Sequence, residues 1–200
     1  PYFPKGCGDC QAGRYRKLAY DPSNPKCNAC HILTRCLDDK VYERKYTLQS
    51  FPGVGGIIES YPSVPTNTDD YKRILASATH FAERGSHVVL GPAFTSPISC
   101  PSYNEIYSAL IGTPYYGKCP DICIDGVWYE HEGFTSRNPK NALRNMLNHG
   151  LKQSSRIIIE EPDLAKDFIQ RSIKNHVNHG TEIDEVWLKR GSKISLIYKK

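Results

Sequence analysis

The sequence predicts an α+β fold, a mixed sheet flanked by helices, carried behind a small N-terminal zinc-knuckle module. Three observations lead there. From residue 69 onward, segments of helical period alternate with short strand-like runs, the pattern of a mixed sheet covered by helices. Asp125-Gly126 separates two extended runs, DICI and VWYEHE, and this dipeptide between such runs is a strong hairpin signal. Two C-x2-C pairs stand ahead of all of it.

Those pairs are Cys7/Cys10 and Cys27/Cys30, sixteen residues apart, with the turn formers Asp21, Pro22, Ser23, Asn24 and Pro25 between them. Each tight turn offers two sulfurs to one tetrahedral ion, so a structural zinc is expected there, with His31 and Cys36 as substitute ligands. Disulfides or unrelated free thiols are the alternatives. Cys100, Cys119 and Cys123 lack paired spacing and read as small buried hydrophobes. The module is expected to span residues 1–50, a Pro/Gly linker residues 51–68, and the α/β domain residues 69–200.

Within that domain, Thr68 can cap a helix whose apolar positions Tyr71, Leu75, Ala78 and Ala82 recur at helical spacing and which Gly85 ends. HVVL (87–90) reads as a short buried strand, and a short helix follows over 103–110. After the DICI/VWYEHE hairpin, Asn138 caps a helix with Pro139 at its first position and Ala142, Leu143, Met146, Leu147 and Leu151 along its apolar stripe. RIIIE (156–160) is a buried strand. DLAKDFIQRSIKNHVNHG is an amphipathic helix closed by Gly180, and DEVWL with KISLIYK forms a last hairpin.

The composition sets outer limits. Hydrophobic residues at 39% and charged residues at 24% match a globular chain with a core, and apolar runs such as Ile157–Ile159 are far too short to span a bilayer. No membrane partner is expected. The chain opens PYFPKGCGDC, with neither an initiator Met nor a basic-then-apolar leader, and is expected to be a piece of something longer. A net charge of +5 and a pI near 8.7 permit a nucleic-acid partner without demanding one.

The chemistry-bearing residues gather around the hairpin. Pro120-Asp121 opens one strand, and Glu130 and Glu132 share one face of the other because side chains alternate with period two. Three carboxylates so placed suit a hard cation such as magnesium, which activates water and steadies the charge on a phosphate. An edge strand with a solvated polar face is the ordinary alternative for Glu130, His131 and Glu132. On the Asn138-capped helix, Asn141, Asn145, His149 and Lys152 share a polar face with Gln153 adjoining, fit to hold a phosphate or move a proton.

The order of elements around the carboxylates resembles the PD-(D/E)xK nuclease core, with Glu132 standing where that motif has Lys; Lys152 is then the replacement cation. Over nearly its whole length the chain resembles the C-terminal extension of Mu-type phage minor head proteins of Bacteroidetes phages and integrated elements. The double C-x2-C opening, ATHFAERGSHVVL, KCPDICIDGVWYEHEGF, NPKNALRNMLNHGLKQSSRIIIE and EVWLKRGSKISLIYKK carry that resemblance. It implies a phage virion or bacterial cytoplasm and head or portal proteins as partners. The second half is also similar to the tRNase domain of contact-dependent inhibition toxins, often grouped with the barnase, EndoU, colicin and RelE nucleases. This second likeness implies a toxin-like RNase acting on tRNA, an immunity protein, and metal-free cleavage. His131 or His149 would then serve as base and acid, with Lys152 on the phosphate, Gln153 beside it in the site and the ribose 2′-hydroxyl as nucleophile. The resemblances therefore imply a nuclease, either such an RNase or a metal-dependent DNA endonuclease, with a non-catalytic head-associated module as the competing reading.

Overall fold

In the computed structural model, which describes residues 44–95, 97–133, 138–160 and 163–200, eight strands lie side by side in the order of the chain. The expected zinc ligands Cys7, Cys10, Cys27 and Cys30, with His31 and Cys36, lie outside the described residues. The strands are β1 (Tyr46–Phe51), β2 (Gly56–Ser60), β3 (His87–Leu90), β4 (Ile122–Ile124), β5 (Val127–Glu132), β6 (Arg156–Glu160), β7 (Glu185–Arg190) and β8 (Lys193–Lys199). Three neighbouring pairs are parallel, β2 with β3, β5 with β6 and β6 with β7. Each of these needs a crossover, and a helix supplies it: α1 (Asp69–Ala82), α3 (Pro139–Gly150) and α4 (Lys166–Asn178). The remaining pairs are antiparallel, and a short helix α2 (Pro101–Ile106) lies between β3 and β4.

Local chemistry sets the helix ends as the sequence implies. Thr68 Oγ1 accepts from Tyr71 N at 3.0 Å, and Asp69 and Asp70 complement the dipole in the first turn of α1. Asn138 Oδ1 accepts from Lys140 N and Asn141 N ahead of α3. Gly85 and Gly180 follow α1 and α4 at φ 93° and 84°.

The sheet has two unlike faces. On one, α1 packs Tyr71, Ala78 and Phe81 against Ile58, Val88, Leu90, Ile122, Ile124, Tyr129 and Ile158. On the other, α3 and α4 pack Leu143, Met146, Leu147, Ile169 and Ile173 against Ile157, Ile159, Val186 and Leu188. Beside them, α2 and its flanks cover Val89, Cys123 and Trp128 with Tyr103 and Tyr107.

One stretch departs from its expected form. Residues read as the end of the zinc module and a linker carry the β1–β2 hairpin, and β2 is a buried strand paired with β3. Gly55, at φ 77°, serves the turn, and Gly56 serves packing. Phe51 O accepts from both Val54 N and Gly55 N to close the turn, and a Cβ on Gly56 would lie 1.7 Å from Ala82 O, so only glycine lets β2 run under the end of α1.

A carboxylate cluster as candidate active site

The β4–β5 hairpin turns on Asp125 and Gly126, at φ 49° and 85°, the two positive values that a tight two-residue turn requires. Its register pairs Ile122 with Tyr129, Cys123 with Trp128 and Ile124 with Val127. One step beyond that ladder, Asp121 comes opposite Glu130. The Asp121 side chain is fixed there, since its Oδ2 accepts from His131 N at 3.1 Å. Tyr107 steadies the approach, with its hydroxyl donating to Pro92 O at 2.8 Å and Pro120 O sharing the proton at 3.3 Å.

Period-two alternation then divides the VWYEHE run between the faces of the sheet. Trp128, Glu130 and Glu132 point to the side of α2 and α3; Tyr129 and His131 point to α1. Glu130 pairs with Ile157 in the β5–β6 register and is near enough to the buried Tyr107 hydroxyl to raise it. Its Oε2 is buried and has no hydrogen-bond partner. Burial, then Asp121, then Glu132 push its carboxyl well above the usual carboxylate range. Asp121 is pushed up to about 6 by burial, against the pull of the His131 amide. Glu132 rises to about 7, again from burial first and from Asp121 and Asp70 after it. Burial raises all three, Asp121 adds to the rise of Glu130 and Glu132, and among the described residues no lysine or arginine pairs with them.

His149, exposed at the end of α3, holds Nδ1 4.0 Å from Glu132 Oε1. Gly150 makes room for Glu132, because a Cβ there would stand 3.0 Å from its Cγ. Lys152 and Gln153 follow in the turn after α3, where their amides donate to His149 O and Gly150 O. Among the described residues, neither side chain bonds to any of the three acids. The hairpin therefore gathers Asp121, Glu130 and Glu132 and sets His149 at their rim, while Lys152 and Gln153 stand apart.

His131 belongs to the opposite face. It is 8% exposed, and its Nε2 lies 2.9 Å from Ser77 Oγ on α1. Burial, with Lys189 and Arg73 adding to it, pushes the imidazole down to about 3. A ring sealed in this way is neutral throughout the physiological range and has no path to a substrate bound over the acids. Around it, Lys189 pairs with Glu160 and donates to Arg73 O at 3.2 Å, and Arg73 Nε lies 3.3 Å from Glu160 Oε2. Arg73 also pairs with Asp70 and rests over Gly133, where a Cβ would come within 3.0 Å of the guanidinium carbon.

Sequence reading missed Ser77, Arg73, Glu160, Lys189 and Gly150. A Ser beside the apolar stripe of α1 and a Lys in phase with Trp187 on β7 were the signals present, and neither names its partner. The remaining cysteines are structural. Cys100 and Cys123 are buried, and burial raises the thiols of Cys119 and Cys123, the latter to about 11, so neither is a thiolate nucleophile at neutral pH.

As they stand, no three His, Cys, Asp or Glu side chains among the described residues are drawn together around one ion-sized point. The donor set nevertheless fits a hard cation in chemistry. Glu130 Oε2 is unengaged, Asp121 uses one oxygen for His131 N, and Glu132 meets only the distant ring of His149.

No protein-family model matches the chain, and no curated protein matches it. It is similar to a chain of a solved structure, the CdiA-CT/CdiI toxin and immunity complex from Burkholderia pseudomallei, at 19% identity over 72% of this chain and 98% of that one, with a TM-score of 0.42.

Proposed function

We propose that this chain is a nuclease whose reaction centre is the Asp121–Glu130–Glu132 cluster, acting with a divalent cation on the phosphodiester bonds of a nucleic acid. The observation that carries this reading is the buried, unpartnered oxygen of Glu130 between two other acids whose protonation is raised. Burying a carboxyl oxygen without a partner costs stability, and such costs persist mainly where function uses them. The element order also supports it: α1, β3, the hairpin with Asp121 and Glu130-x-Glu132, then α3 and β6, as in the PD-(D/E)xK scheme.

Glu130 is the central ligand in this reading, with Asp121 Oδ1 and Glu132 completing the protein's share. A bound cation would offset the mutual repulsion of the acids, activate a water and steady charge on the phosphate. His149, solvent-exposed beside Glu132, is placed to pass a proton to the leaving oxygen. The metal-free scheme draws less support, because one of its two histidines, His131, is sealed under α1.

Incubating the purified chain with tRNA, single-stranded DNA and duplex DNA, in magnesium or manganese and in EDTA, tests the reading. Cleavage that needs the metal and falls by more than about 100-fold in Glu130→Gln is the expected result. Cleavage that continues in EDTA, or that Glu130→Gln leaves intact, would remove the cluster from the reaction.

A further inference from the structure

We propose that the outward surface of α3 and α4 is a docking surface for the phosphate backbone of a nucleic acid. That it leads a strand to the carboxylates rests on the nuclease reading above; the docking itself does not.

Charge is distributed unevenly over the helices. α3 carries Lys140, Arg144 and His149 and no acid at all, and α4 carries Lys166, Arg171 and Lys174 against a single acid, Asp167. All five lysines and arginines are exposed, and among the described residues none of them forms an ion pair. On α1 the arrangement is the reverse: Lys72 pairs with Asp69, and Arg73 pairs with Asp70 and Glu160. Cations left unpaired on one surface and neutralised on the other mark the first as the side that meets an anion.

The two helices also make a place for it. Between them is a cavity of about 290 Å³ with an apolar floor that includes Leu143, Leu147 and Phe168 and a rim that includes Lys140, Arg144 and Asn175. Lys140 Nζ sits 5.5 Å from the centre of the Phe168 ring, which gives the ammonium a fixed seat. Lys, Arg and Asn donors around a concave surface are what phosphate oxygens take. An acidic protein partner fits less well, because protein interfaces have an apolar centre, and the exposed large hydrophobics, Tyr46, Val54, Ile98, Ile111 and Leu196, all lie off these helices.

Direction follows from the helix itself. From Lys140 to His149 is nine residues, about 14 Å of helix at ~1.5 Å each. His149, which meets Glu132, lies about half a turn round the helix from Lys140, at the opposite edge of its exposed surface. A backbone that crosses this exposed surface obliquely, from Lys140 over Arg144, Asn148 and Asn145, therefore arrives at the rim of the carboxylate cluster.

Binding of a fluorescein-labelled single-stranded oligonucleotide, measured by anisotropy over a salt series, tests this in the full chain carrying Glu130→Gln to suppress cleavage. Adding Lys140→Glu and Arg144→Glu is expected to weaken binding at least tenfold and to lower the slope of log affinity against log salt by about 2. The same charge change on the α1 side, Lys72→Glu in α1 with Arg84→Glu in the turn that follows it, is expected to leave both nearly unchanged. Equal losses in the two doubles, no loss in the first, or displacement of the oligonucleotide by polyglutamate at matched charge would each overturn the proposal. Binding that follows this pattern in a chain that cuts nothing would leave the surface standing and sink the nuclease reading; cleavage without the pattern would do the opposite.

Discussion

Glu130 and His131 are neighbours in the chain and opposites in the fold. On the α1 side of β5, His131 has Ser77 at its Nε2, and the charges around it are paired: Lys189 with Glu160, Arg73 with Asp70 and Glu160. On the α3 side, Glu130 has a bare oxygen and two other acids for company. Both faces bury ionisable groups. On the α1 face cations and carboxylates neutralise one another, even though Arg73 Nε makes no hydrogen bond; on the other, acids stand beside acids and Glu130 Oε2 is unpartnered. Neutralised charge on one side of β5 and accumulated like charge on the other is the contrast on which the nuclease proposal depends.

The largest test of that contrast is on the neutralised side. Lys189, 6% exposed, is the nearer of the two cations on Glu160, so Lys189→Met leaves that carboxylate with Arg73 alone and is expected to cost about 1.5 to 3 kcal/mol in denaturant unfolding. The double variant Lys189→Met/Glu160→Gln should recover much of it. A loss under ~1 kcal/mol in the single variant would mean that water, not the pair, satisfies these groups.

Acidity distinguishes the faces by sign. Asp121 and Glu132 titrate near 6 and 7 in the folded chain against 3.8 and 4.5 ordinarily. Their contribution to stability is complete below the lower values and is lost as pH rises through the higher ones. His131 runs the other way: its folded value of about 3 against 6.5 gives stability that is present above pH 6.5 and lost as pH falls. In the wild type the two oppose each other over roughly pH 4 to 6.5. His131→Gln should therefore show a melting temperature that falls steadily as pH rises across that window, by several degrees, and Glu130→Gln should tilt the curve towards higher stability at neutral pH. Parallel curves for the two variants would deny that the faces titrate independently.

A smaller effect is expected at Ser77. Ser77→Ala removes the partner of His131 Nε2, which by the cost of an unsatisfied buried nitrogen is worth about 1 to 3 kcal/mol. Cleavage in folded protein should be unchanged, since nothing on the α3 face moves.

What the sequence made legible follows the same division. Features written in adjacent residues were readable: the Thr68 and Asn138 caps, the Asp125-Gly126 turn, and Glu130 and Glu132 on one face of a strand. Features joining distant residues were not. Ser77 finds His131 across 54 positions and Lys189 finds Arg73 across 116, and no spacing rule reaches so far. The role of His131 went with them, because alternation places it opposite Glu130 but only the partner on α1 makes it structural. The β1–β2 hairpin was hidden for another reason. Gly56 reads as flexible, yet it is small because Ala82 O presses on it.

The least disruptive change bears most directly on the acidic face. At Gly150 a Cβ would stand 3.0 Å from both Glu132 Cγ and Ile157 Cγ2. Ile157 is fully buried and pinned between β5 and β7, whereas Glu132 lies at the rim with one weak partner, so the carboxylate is what gives way. Replacing a helical Gly by Ala is worth up to ~1 kcal/mol in helix propensity, which offsets the crowding, and Gly150→Ala should leave stability within about 1 kcal/mol of the wild type. Cleavage should nonetheless fall severalfold, with the metal concentration for half-maximal rate raised, because Glu132 is displaced from Asp121 and Glu130 while the fold around it holds. An unchanged rate and metal requirement would show that the reaction does not depend on where Glu132 sits, and the cluster would reduce to Asp121 and Glu130.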